Sequence, residues 1–121
     1  MTANVKSLDA QHLLEQVADL RKLEDGWLDG EYGNRIAETA LVRAEEAVSA
    51  MQAFGNIASG AFPTEEGGIC FTWGDGTSLT ADIEPDGSVY VHNADIVAGM
   101  CEDETIPADG DLSRALARWL S

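Results

Sequence analysis

Residues 67–92 read GGICFTWGDGTSLTADIEPDGSVYVH. Within this stretch the apolar positions recur every second residue. Ile69, Phe71 and Trp73 alternate with Cys70 and Thr72, Leu79, Ala81 and Ile83 with Thr80, Asp82 and Glu84, and Val89 and Val91 with Tyr90 and His92. A period of two is that of a strand with one greasy and one polar side. The joints GDGT (74–77) and PDG (85–87) are strong hairpin turns. The stretch therefore predicts a three-stranded antiparallel meander. Such a sheet cannot stand alone in water, so helices must cover its apolar face.

Upstream, the period lengthens. In 8–23, Leu13, Val17 and Leu20 fall at helical spacing, with Leu14 and Leu23 flanking. Ser7 or Asp9 is the expected cap, and Arg21 and Lys22 suit the C-terminal end of the helix dipole. In 35–54, Ile36, Ala40, Ala44, Ala47, Val48 and Met51 make a stripe, and Arg43 is read with Glu38, Glu45 and Glu46 as lying off it. Asn34 is the expected N-cap and Gly55 the stop. Between the helices lies EDGWLDGEYG (24–33), read as a connector. Its Trp27 and Leu28 are expected to fold back into the seam between helices and sheet and join Trp73 and Phe71. Asp25, Asp29 and Glu31 are then turn acids with Arg21, Lys22 and Arg35 close by in sequence.

Residues 55–66 read as a loop. ADIVAGMC (94–101) fits a fourth strand or a short helix, and EDET (102–105) an acidic loop. DLSRALARWL (111–120) is a short amphipathic helix capped by Asp109 or Asp111. The expectation is one α+β domain over 1–121: two N-terminal helices, a three-stranded antiparallel meander with a possible fourth strand, and a C-terminal helix. At 121 residues, one domain of this size buries roughly two-thirds of its unfolded surface.

The charge is unusual. The chain carries 22 acids and 7 bases, a net charge of −15. All the bases lie in helical segments: Lys6, Arg21, Lys22, Arg35, Arg43, Arg114 and Arg118. Between Arg43 and Arg114 there are 14 acids and no Lys or Arg. A field of this sign repels phosphate, which argues against nucleic acid and anionic membrane as direct partners and favours a cationic one. MTANVKSLDAQHL has no apolar leader region, and no apolar run approaches the ~20 residues that span a bilayer. Two cysteines, Cys70 and Cys101, make no disulfide framework. A soluble, cytoplasmic protein is expected.

Motifs for chemistry are thin. Asp82-Ile-Glu84-Pro-Asp86-Gly87 resembles the first half of a calcium-binding EF-hand loop, but the twelfth position is Asn93 and strands flank it. A hairpin turn is the simpler reading. Zinc would draw on Cys70, Cys101, His12 and His92, which show no ligand-pair spacing. The only imaginable nucleophilic trio, Cys70, His92 and Asp82, would lie on an open sheet face without an oxyanion hole. No catalytic residue, metal or cofactor is assigned.

Three segments together resemble a known group. Leu20–Gly30 follows L-x-x-L-x-x-G-W-x-D-G, Pro63–Trp73 follows P-T-x-x-G-G-I-x-F-x-W, and Ile83–Val89 follows I-x-P-D-G-S-V. The arrangement is similar to a loose group of small, uncharacterised bacterial and phage proteins. The likeness covers about 13–92; residues 93–121 have no counterpart. It implies an α+β fold and no particular activity.

The functional expectation is a non-enzymatic protein that binds a basic protein surface, carboxylates standing in for phosphates. Its concrete form is a phage-type inhibitor of a nucleic-acid-binding host defence complex, in the manner of DNA-mimicking anti-CRISPR or anti-restriction proteins. The candidate binding residues are Glu65, Glu66, Asp75, Asp82, Glu84, Asp86, Glu102, Asp103 and Glu104. The alternatives are an antitoxin or immunity protein facing a basic toxin, and a homodimeric structural module. The oligomeric state is left open.

Overall fold

The computed structural model describes residues 3–74, 79–95 and 100–120. The chain runs α1 (Ala3–Leu20), α2 (Glu38–Phe54), β1 (Gly60–Pro63), β2 (Ile69–Trp73), β3 (Leu79–Ile83), β4 (Val89–Asp95), β5 (Met100–Ile106) and α3 (Leu112–Leu120). The strands form one antiparallel sheet in sequence order, β1 to β5. The α+β class and the central meander stand, but the strand number does not: five strands replace the expected three or four. β1 was hidden in the 55–66 loop because Gly60-Ala61-Phe62-Pro63 is too short to show a period. EDET is no loop. It lies in β5, paired with β4 so that Val91 faces Glu104 and His92 faces Asp103. Of ADIVAGMC, Ala94 and Asp95 end β4, Met100 and Cys101 begin β5, and 96–99 lie outside the described residues.

The apolar face works as its alternation requires. Ile69, Phe71, Ile83, Val89 and Val91 are almost completely buried, and Leu41, Val48, Met51 and Leu116 from α2 and α3 join them in one cluster. At ~25 cal/mol per Å2 of apolar area, this seam between helices and sheet is the main stabilising element. The opposite face carries Cys70, Thr72, Thr80, Asp82, Tyr90 and His92, all half-buried by their neighbours.

Several local expectations are corrected. α1 starts at Ala3, so Ser7 and Asp9 lie inside it rather than capping it. α1 ends at Leu20, and Arg21 reaches across to Glu38 at 2.6 Å instead of serving its own helix end. α2 starts at Glu38 from an extended Ala37, with no side-chain cap. Asn34 instead ties down the β1–β2 turn, donating from its backbone to Glu65 O at 2.8 Å and from its side chain to Glu66 O at 3.3 Å. Gly55 does end α2, in the left-handed conformation with φ 68. In α3, Asp111 Oδ1 accepts from the Arg114 backbone at 3.1 Å, the cap expected there. Trp27 stays out of the core cluster. Its ring rests on Gly33, and its Nε1 donates to Asn34 O at 2.7 Å, so it closes its own loop. Leu28 is exposed.

Arg43 is the largest surprise. It is 7% exposed, the one charged residue among the buried ones described. Its Nε donates to Gly87 O at 2.9 Å, and its Nη2 to Pro107 O at 2.8 Å and Gly110 O at 2.9 Å. Nη1 meets Glu46 at 2.9 Å. One guanidinium thus ties α2 to the β3–β4 turn and to the β5–α3 connection, using the rigid fork that only arginine offers.

Candidate interaction surface

The turns 64–68 and 84–88 close β1–β2 and β3–β4 at the same end of the sheet. Their approach depends on Gly68, whose Cα faces the carbonyl oxygen of Ile83 so closely that a side chain would have no room. Glu65 and Glu66 ride on the first turn, Glu84 and Asp86 on the second. Both turns are internally bonded: Thr64 N–H donates to Gly68 O at 3.0 Å, and Glu84 N–H to Ser88 O at 2.8 Å. The segment that resembled half a calcium loop is this second turn. Asp86 Oδ1 accepts from the Ser88 backbone at 2.8 Å and from the Ser88 hydroxyl at 2.7 Å, which hold its carboxyl below the usual carboxylate range.

Glu84 is pushed the other way. Partial burial raises its pKa first, and then the negative charges of Asp82, Glu66 and Asp86. These four carboxylates therefore share one field. No ion pair reaches Glu65, Glu66, Asp82, Glu84 or Asp86 among the described residues.

Other acids are neutralised. Arg21 meets Glu38 at 2.6 Å and Glu45 at 3.4 Å, and Arg43 meets Glu46. Arg118 stands 3.6 Å from both Glu102 and Glu104, and Trp119 Nε1 donates to Glu104 Oε1 at 2.8 Å. The strand alternation explains this. Glu102, Glu104 and Ile106 turn to the helix side of β5, where α3 brings a cation back. Asp103 turns to the open face and accepts from Tyr90 Oη at 2.8 Å. The candidate residues thus divide. Glu65, Glu66, Asp82, Glu84 and Asp86 gather at one end of the sheet, Asp103 shares the open face, and Glu102 and Glu104 sit apart under α3. Asp75 lies outside the described residues.

Cys70, His92 and Asp82 do share the open face, but not as a reactive trio. Cys70 pairs with Asp82, while His92 pairs with Thr80 and stacks on Tyr90 at 6.3 Å. Burial, then Asp82, push the Cys70 thiol up to about 12, so it is a thiol and not a nucleophilic thiolate at neutral pH. Among the described residues no group of three His, Cys, Asp or Glu converges as a metal site, and no helix is long and apolar enough to cross a membrane.

No protein-family model matches the chain, and no significant match to it is found among curated proteins or solved structures.

Proposed function

We propose that this protein is a non-enzymatic binding protein whose acidic turn cluster docks on the cationic groove of a nucleic-acid-binding protein. The supporting observation is the field shared by Glu66, Asp82, Glu84 and Asp86, held on two internally bonded turns and the end of β3, with no ion pair to any of them among the described residues. Like charges brought together repel and cost stability, a cost that a cationic partner relieves while gaining association rate from steering. The Lys and Arg of a groove built for phosphate match carboxylates by the same charge-assisted hydrogen bonds. Guide-RNA or restriction complexes of a host defence system are the target class that this chemistry fits, with the protein acting as their inhibitor.

The test is capture of targets on the immobilised protein at low salt, followed by a salt gradient and competition with duplex DNA. Targets should elute early in the gradient and be displaced by DNA. An affinity that stays constant from low to high salt overturns the proposal.

A further inference from the structure

An open antiparallel sheet has two edges, and in this protein they are finished differently. In such ladders alternate residues bond to opposite neighbours. On β1, the Thr64–Gly68 bond makes Phe62–Cys70 a bonded pair, so Ala61 and Pro63 face outward. The Ala61 N–H is taken by Gln16 Oε1 of α1 at 3.0 Å, and Pro63 has none to offer. That edge has no outward donor left.

On the other side, the Glu84–Ser88 bond makes Asp82–Tyr90 and Thr80–His92 bonded pairs of β3 and β4. Val89, Val91 and Asn93 then bond to Ile106, Glu104 and Glu102 of β5. The backbone N–H and C=O of Asp103 and Thr105 consequently point away from the sheet, and no hydrogen bond to them is present among the described residues. Beside this edge lies a hollow of about 390 Å3 between β5 and α3, lined by Ile106, Pro107 and Ala115 together with the charged Glu104, Arg114 and Arg118.

We propose that β5 accepts an extended, cationic segment of a partner protein as a sixth strand. Its backbone pairs with Asp103 and Thr105, a basic side chain on the open face meets the Asp103 carboxylate, and an apolar side chain on the other face enters the hollow. Strand addition of this kind takes affinity from the backbone and selectivity from alternate side chains. Charge selects the occupant. A second copy would bring one net charge of −15 against another, which repels, whereas a basic segment is attracted. The inference goes beyond the acidic-turn reading, since it adds a second contact on β5, and it rests on that reading only for its premise of a cationic partner.

The experiment uses the whole, isotope-labelled protein and a synthetic peptide of alternating lysine and valine, matched in length to β5. Its control is the same peptide methylated at every backbone nitrogen, with equal charge and no donors. Amide exchange at Asp103 and Thr105 should slow about tenfold with the first peptide and stay unchanged with the second. Asp103→Lys and Thr105→Pro, each verified as folded by circular dichroism, should each weaken the first peptide's binding. If both peptides bind equally and their shifts spread over Glu66, Glu84 and Asp86, strand addition falls and the acidic-surface reading stands. If neither binds, both fall. Dimerisation of the protein through β5 also overturns the inference.

Discussion

Arg43 Nε donates to the carbonyl oxygen of Gly87 at 2.9 Å, across 44 positions of sequence. The bond sets the height of the acidic β3–β4 turn above α2, while the same guanidinium holds Pro107 and Gly110. Arg43→Met should cost about 2–4 kcal/mol, because it strands the buried Gly87 carbonyl oxygen and removes two part-buried bonds to Pro107 and Gly110, the half-exposed Glu46 pair adding little. Arg43→Lys should recover only part of this, since an ammonium cannot span three carbonyls in one plane. The midpoint of urea unfolding, at unchanged slope, measures both.

What was legible in the sequence follows from where a period could survive. β2, β3 and β4 are greasy on one face and polar on the other, so their alternation is plain. β5 has acids on both faces, because α3 supplies Arg118 to Glu102 and Glu104 on the side where the other strands carry hydrocarbon. That long-range compensation erased the alternation and made a strand read as a loop. It also made the acids after Arg43 look more isolated than they are. Arg43 did leave a signal. It falls three residues after Ala40 and four before Ala47, both buried, and so lies on the α2 stripe. A charge there reads as an outlier unless a set of orphan carbonyls is known to await it. The Glu66–Glu84 proximity had no sequence signal, because it arises from the sheet bringing two turns to one end.

Glu84 carries a pH prediction. Its folded pKa is raised, so the folded state binds a proton more readily than the unfolded chain. Stability therefore falls as pH rises from the ordinary carboxylate range through the raised value, and the loss is complete above it. Glu84→Gln should be slightly more stable than the parent at pH 7, by about 0.5 kcal/mol or less for so exposed a position. The gain should vanish in acid, where the parent carboxyl is protonated. Thermal unfolding of the two proteins across this pH range measures the difference.

The 24–33 loop depends on Gly33 and Trp27. Gly33 has φ +93, and a side chain on it would meet the Trp27 ring at 2.7 Å. Gly33→Ala should thus cost about 1–3 kcal/mol through backbone strain, and more if the ring is displaced from Asn34 O. Trp27→Ala should cost less than a core tryptophan, about 1–3 kcal/mol, because the ring is only half-buried and the loss is one hydrogen bond with part of its apolar area. Differential scanning calorimetry ranks both against Phe71→Ala, which opens the core and should cost about 3–5 kcal/mol.

The division among the acids is itself testable, because it separates the unpaired carboxylates of the proposed binding surface from those paired within the fold. Glu104→Gln removes the carboxylate that meets Arg118 and accepts from Trp119, at a half-buried position. It should lose about 1 kcal/mol of stability and leave salt-sensitive target binding nearly unchanged. Glu84→Gln with Asp86→Asn keeps the turn, since the asparagine side-chain oxygen still accepts from Ser88, but removes two unpaired charges. That double variant should keep its melting temperature while its target affinity falls by about tenfold and loses part of its salt dependence. Both variants are measured by calorimetry for stability and by titration at two salt concentrations for binding. If Glu104→Gln weakened binding more than the turn variant did, the acidic contact would lie along β5 and α3 rather than on the turns.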